Sequence, residues 1–200
     1  MQANVIPKNA RRFIAFDYGF DMLAVLLISV DKNGTLYVER ELCVQNLTLS
    51  RAGEAIAKFV AGSNVEYAVA SPDLWNRRQD SGKSGVEIMQ SVFGMPRMIP
   101  ADDRRVAGWR VLKDHLSPQG SKPTLFICNN CCELIHSMQS LLCDKNRIDD
   151  ASSEPHAVTH APEALRYAVM SRVGFIEEKK EPLPFKFRSS KNEFDSFWNY

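Results

Sequence analysis

Residues 12–43, RFIAFDYGFDMLAVLLISVDKNGTLYVERELC, read as three consecutive strands before any helix appears. The first, Arg12 to Asp17, is apolar and ends on a carboxylate. The second, about Met22 to Val30, is a near-continuous apolar run, as expected of a strand buried on both faces. Asp31-Lys32-Asn33-Gly34 carries the Asn-Gly signal of a tight hairpin turn. The third, Thr35 to Cys43, alternates less cleanly, with Leu36 and Val38 on one phase and Leu42 less regular.

Downstream the period changes. Ala52, Ala55, Ile56, Phe59 and Val60 recur at helical spacing after Leu47–Ser50, and Gly62-Ser63-Asn64 stops that helix. Tyr67–Ala70 is a short apolar strand followed at once by Ser71-Pro72-Asp73, so a second strand ends near a carboxylate. Val86–Phe93 is a short helix, Arg97–Pro100 a connector or short edge strand, and Asp103–Leu116 a helix. Thr124–Cys128 is a fifth strand, and Cys131–Leu142 a helix with Leu134, Ile135, Met138, Leu141 and Leu142 facing inward. This order predicts an α/β fold with a five-stranded mixed sheet flanked by helices on both faces. Residues 12–175 form the expected domain, preceded by a polar segment (1–11) and followed by an extended tail (176–200) whose Phe185, Phe187, Phe194, Phe197 and Trp198 are placed to pack back on it.

The bulk numbers set bounds. A chain of 200 residues with 44% hydrophobic and 24% charged residues has the composition of an ordinary globular domain. A net charge of +1 excludes a histone-like nucleic-acid binder but not a local basic patch. No apolar run approaches the roughly 18–20 residues that span a bilayer, and the N-terminus has no apolar export segment. Five cysteines, three of them in CNNCC, point to reduced thiols of a cytoplasmic protein. Cys128, Cys131, Cys132 and His136 lack a second finger-spaced pair, so small buried hydrophobes are a better reading than a zinc site. Gly82-Lys83-Ser84 has Arg77 rather than Gly five positions before Gly82, which argues against a nucleotide-cradling loop.

The chemistry concentrates in Thr159–Arg172, THAPEALRYAVMSR. His160 and Glu163 stand one helical turn apart ahead of an apolar stripe made by Ala164, Leu165, Ala168, Val169 and Val173. Pro162 suits the first helical turn, and the helix dipole there favours an ionised Glu163. Sites in open α/β sheets form at strand ends, where Asp17 and Asp73 lie, and a helix docked across the sheet brings Glu163 and His160 to them. Such carboxylates are a physical recipe for Mg²⁺ or Mn²⁺, since hard cations want oxygen ligands and offset carboxylate repulsion. Two ions about 3.5–4 Å apart support phosphodiester hydrolysis.

FDYG at Asp17, NGTLYVERELCVQNLTLSRAGEAI, the acidic residue at Asp73 and above all HAPEALRYAV resemble the C-terminal nuclease domain of tailed-phage terminase large subunits, members of the ribonuclease H-like superfamily. The resemblance covers roughly residues 13–173. It implies a ribonuclease H-like fold and a two-metal endonuclease that cuts double-stranded viral DNA during genome packaging. It also implies Asp17, Asp73, Glu163 and His160 as catalytic and metal-binding residues, with Glu163 where the family usually has Asp. The partners implied are double-stranded DNA, a packaging ATPase domain, the terminase small subunit and the portal, in the cytoplasm of a bacterial host of a phage or prophage. The family's ATPase carries a P-loop, which this sequence lacks, so the chain reads as the nuclease domain alone.

Arg77, Arg78, Lys83, Arg104 and Arg105 suit phosphate contacts beside the site, as does Arg110. Asp21, Glu39 and Glu41 read as surface or sheet-edge charges, His156 as a loop residue, and Arg166 and Tyr167 as structural. Asp149 and Asp150 either support the site or cap a turn. Two alternatives stay open: a resolvase- or transposase-like nuclease of the same fold, and a non-catalytic DNA-binding or assembly module.

Overall fold

The computed structural model describes residues 6–79, 81–117 and 122–172. The expected tail and its aromatic residues lie outside these. The strands are β1 (Arg11–Tyr18), β2 (Leu23–Val30), β3 (Leu36–Val44), β4 (Val65–Ala70), β5 (Met98–Pro100) and β6 (Leu125–Ile127). The helices are α1 (Leu49–Val60), α2 (Gly85–Gln90), α3 (Arg105–Leu116), α4 (Cys132–Ser140) and α5 (His160–Met170). The strands form one mixed sheet in the order β5-β4-β1-β2-β3-β6. It has six strands rather than five, because Met98–Pro100 pairs in parallel with Ala68–Ala70 and becomes an edge strand.

β1, β2 and β3 are antiparallel neighbours, while β4 joins β1 and β6 joins β3 in parallel. Every residue of β2 is buried, as its unbroken apolar sequence requires when helices cover both faces. The two-residue period then divides the strands between two cores. Phe13, Ala15, Ala24, Leu26 and Ile28 face a core completed by Leu112 of α3, Leu134 of α4 and Leu165 of α5. Ile14, Phe16, Leu23, Val25 and Leu27 face the opposite core, completed by Ile56 of α1 and Met89 of α2. Each fully buried aliphatic side chain contributes roughly 1.5–3 kcal/mol.

α5 departs from the amphipathic expectation. All eleven of its residues are buried, including His160, Glu163 and Arg166. It lies against β1 and β2 and is covered by α3 and α4. A helix sealed on all sides keeps charged residues only if they neutralise one another, and Glu163 and Arg166 do so one turn apart. At the end of α4, Leu142 is 60% exposed and not inward-facing. Cys128 and Cys131 are buried, whereas Cys132 and Cys143 are exposed. Among the described residues no helix is long and apolar enough to cross a membrane.

Candidate active site

The parallel register of β1 and β4 aligns Phe16 with Ala70, so Asp17 lies beside the residues that follow β4. Asp73 sits within that continuation, in a 3₁₀ turn (Pro72–Trp75), not on the strand end itself. α5 begins at the same edge of the sheet with His160. Asp17, Asp73, His160 and Glu163 therefore line one cavity of about 450 Å³. Asp73 is exposed there, and its carboxylate meets the Asn76 side-chain amide at 3.5 Å.

His160 is the hinge of the arrangement. Its Nδ1 is 2.7 Å from Asp17 Oδ2 and its Nε2 is 3.2 Å from Asp21 Oδ2. Burial opposes protonation of this imidazole, but the hydrogen bonds and charges of Asp17 and Asp21 prevail and hold its pKa above the ordinary histidine value. Asp21 also receives His156 Nδ1 at 2.8 Å. Although desolvation works against it, hydrogen bonding from the two imidazoles brings the Asp21 carboxyl down to about 2. Gly19 makes this approach possible, because a Cβ at that position would lie 2.8 Å from His160 Cε1 and closer still to the Asp21 carboxylate.

Glu163 is held from two sides. Its Oε2 accepts from Arg166 Nε at 2.7 Å, and its Oε1 accepts from Arg105 Nη1 in a short contact. Arg105 also bonds Asp150 Oδ1 at 3.1 Å and the Ala151 carbonyl at 3.0 Å, and Trp109 Nε1 donates to the same Asp150 oxygen at 3.1 Å. Arg166 passes Gly108, where a Cβ would meet its Cγ at 2.7 Å. Its guanidinium stacks over Tyr167 at 4.7 Å, and among the described residues its Nη1 has no hydrogen-bond partner. Tyr167 reaches the cavity too; burial, with Asp17 and Glu163 adding to it, pushes its hydroxyl up to about 12, so it stays a neutral donor.

Comparison with solved structures aligns the chain with the nuclease domain of g2p, the large terminase of bacteriophage SPP1, in a crystal structure with bound Mn. The TM-score is 0.56 at 18% identity, covering 83% of this chain and 87% of that one. The large terminase nuclease from thermophilic phage G20c aligns with TM-score 0.51 at 13% identity, covering 81% of this chain and 83% of that one. Its magnesium-bound structure gives 0.52 at 13% identity and covers 82% of each chain. This chain has the large-terminase nuclease fold. No protein-family model matches the sequence, and no curated protein matches it.

Within the terminase nuclease fold, the basic residues divide. Arg77, Arg78 and Lys83 are exposed on a small hairpin after Asp73, closed by Arg78 N–H to the Lys83 carbonyl at 3.0 Å, and Arg78 lines the cavity. Arg104 instead makes a two-pronged pair with Asp102, its Nη2 2.6 Å from Oδ2. Arg105 turns inward onto Glu163 and Asp150, so its charge is spent inside the fold. Arg110 pairs with exposed Asp149 at 2.8 Å.

Asp21 is the surface charge expected, its side chain 54% exposed, but it meets two histidines; Glu39 pairs with Arg12 at 2.9 Å, and Glu41 caps α4 by accepting from the Glu133 and Leu134 N–H groups. Glu41 thereby satisfies two donors that a helix N-terminus otherwise leaves open. The signal that could have found Asp21 is its place four residues after Asp17, across Gly19, at the same strand edge. His156 had a weaker one, standing four residues before His160.

Proposed function

We propose that this chain is a divalent-metal-dependent endonuclease that cuts double-stranded DNA when a viral genome is packaged. The observation that carries the reading is the convergence of Asp17, Asp73, Glu163 and His160 on one cavity at the edge of a terminase-type nuclease sheet. The donor set fits two Mg²⁺ or Mn²⁺ ions. Asp17 has one polar partner among the described contacts, His160, and Asp73 has one distant one, so both carboxylates face the cavity in need of positive charge. Each Glu163 oxygen keeps a second lone pair despite its arginine partners. Asp17, Asp73 and Glu163 would hold the ions, with His160 beside them; the ions supply an activated water and stabilise the departing oxygen.

The chain's own residues do the rest. Asp17 orients the His160 ring through Nδ1, which fixes where that imidazole can take or give a proton. Arg105 and Arg166 hold the Glu163 carboxylate in one orientation. Arg77, Arg78 and Lys83 draw the phosphate backbone toward the cavity without reading sequence.

Plasmid cleavage with Mn²⁺, Mg²⁺ or chelator tests this. Nicking and linearisation that need metal and vanish in Asp17→Asn and Asp73→Asn are expected; cleavage unchanged by both substitutions removes the site assignment. A second reading, a DNA-binding module without catalysis, draws on the double arginine pairing of Glu163. It predicts bound DNA and no cleavage in any metal.

A further inference from the structure

The residues on the far side of His160 have no part in the scheme above. His160 offers two ring nitrogens, and they point to different carboxylates: Nδ1 to Asp17 at 2.7 Å and Nε2 to Asp21 at 3.2 Å. His156 aims its Nδ1 at the same Asp21 oxygen, 2.8 Å away. The two imidazoles meet edge to face with ring centroids 4.6 Å apart. One ligand atom from each of Asp21, His156 and His160 falls within 4.8 Å of the other two. Around a tetrahedral ion with bonds of about 2.0–2.1 Å, ligand atoms stand roughly 3.3 Å apart. The His156 and His160 nitrogens stand 2.8 Å and 3.2 Å from the shared Asp21 oxygen, near that spacing.

We propose that Asp21, His156 and His160 hold a borderline transition-metal cation of the zinc class, on the side of the His160 ring opposite its contact with Asp17. Two nitrogens and one oxygen are the donors that suit Zn²⁺, Co²⁺ or Mn²⁺, whereas Mg²⁺ demands oxygens. Three protein ligands leave further positions open. Asp17 then takes the outer role: by accepting the Nδ1 proton it presents His160 Nε2 as the metal-binding nitrogen, the carboxylate–histidine–metal relation common to such sites. Gly19 is required because any side chain there would fill the space where Asp21 and His160 meet. The inference stands on this geometry and does not need the nuclease reading, but it refines it, since His160 Nε2 meets Asp21 and not Asp17, Asp73 or Glu163.

The test is a Co²⁺ titration of the full chain, followed by the visible absorption of nitrogen-ligated cobalt. With a large excess of Mg²⁺ present to occupy the carboxylate site, one saturating equivalent is expected, displaced by Zn²⁺. His156→Ala and Asp21→Asn weaken binding by at least about tenfold, the lower range for losing even an outer partner of a metal ligand. Both side chains are more than half exposed, so the variants keep their fold, checked by circular dichroism. Asp73→Asn leaves the cobalt spectrum unchanged. A spectrum indifferent to both His156→Ala and Asp21→Asn, or Mg²⁺ displacing cobalt as readily as Zn²⁺, overturns the proposal. Absent plasmid cleavage alongside an intact cobalt site refutes only the nuclease reading.

Discussion

Removing the Glu163 carboxylate should unfold this domain more readily than its position at a site edge suggests. In Glu163→Ala, Arg166 loses both of its 2.7 Å contacts to Oε2, from Nε and Nη2. The Arg166 side chain is 1% exposed, so water cannot replace them. Among the described residues its Nη1 already lacks a partner, which leaves the guanidinium the faces of Tyr167 and Trp109. Breaking a buried pair by deleting one member costs about 3–5 kcal/mol. Arg105 adds little, because its side chain is 38% exposed and keeps Asp150. Against a total stability of about 5–15 kcal/mol, the loss is large. Urea unfolding followed by tryptophan fluorescence measures it. Arg166→Met in the Glu163→Ala background should recover part of the loss, giving a coupling of about 2–3 kcal/mol in the double-mutant cycle. A cost below about 1 kcal/mol, or additivity within about 0.5 kcal/mol, would refute the pairing as a structural element. Lost cleavage in Glu163 variants therefore counts toward metal binding only where the unfolding curve shows a folded protein.

Other expectations follow from the same geometry. Gly108→Ala drives a Cβ to 2.7 Å from Arg166 Cγ, so despite a helix-propensity gain of about 1 kcal/mol it should lower the urea midpoint, since overpacking costs about 1–3 kcal/mol; a raised midpoint contradicts this. Of the five thiols, exposed Cys132 and Cys143 should react fast with a disulfide reagent in the native state. Burial, reinforced by Glu41, pushes Cys43 and Cys131 up to about 12, and these should react only on unfolding. Glu87 is held below the ordinary carboxylate range by the Ser84 backbone N–H and hydroxyl, so its contribution is present above its unfolded pKa and fades as pH falls through the folded one. Glu87→Gln should remove that share of the acid-side decline in thermal stability, and an unchanged pH profile would argue against the capping box of α2. Replacing Arg78 and Lys83 by Ala should lessen the slope of log K against log salt by about two phosphate equivalents in DNA binding, whereas a parallel line would place the DNA elsewhere.

How much of this was legible beforehand depends on the range of the interaction. The three leading strands, the hairpin at Asn33-Gly34 and the helix at 49–60 were readable because alternation, turn chemistry and helical spacing act within a few residues. β5 stayed open between connector and short edge strand because three residues carry no period; pairing with Ala68–Ala70 makes them an edge strand. α5 looked amphipathic because Glu163 and Arg166 are polar by type, and only their mutual pairing lets the helix be sealed.

By itself the sequence determined the order of the elements that carry Asp17, Asp73, His160 and Glu163. That Asp17 and Asp73 each follow a strand, and that His160 and Glu163 open a helix, follows from local pattern alone; that the two strands adjoin does not. Only the tertiary structure decided how those charges are shared. Arg105 and Glu163 are 58 positions apart, and Asp21 and His160 are 139 apart. No periodicity connects such pairs, because their contact is made by the closing of the sheet and the packing of α3 and α5 upon it. That packing turned Arg105 from an outward cation into a counter-ion of Glu163 and Asp150, and set two histidines against Asp21, which stays exposed.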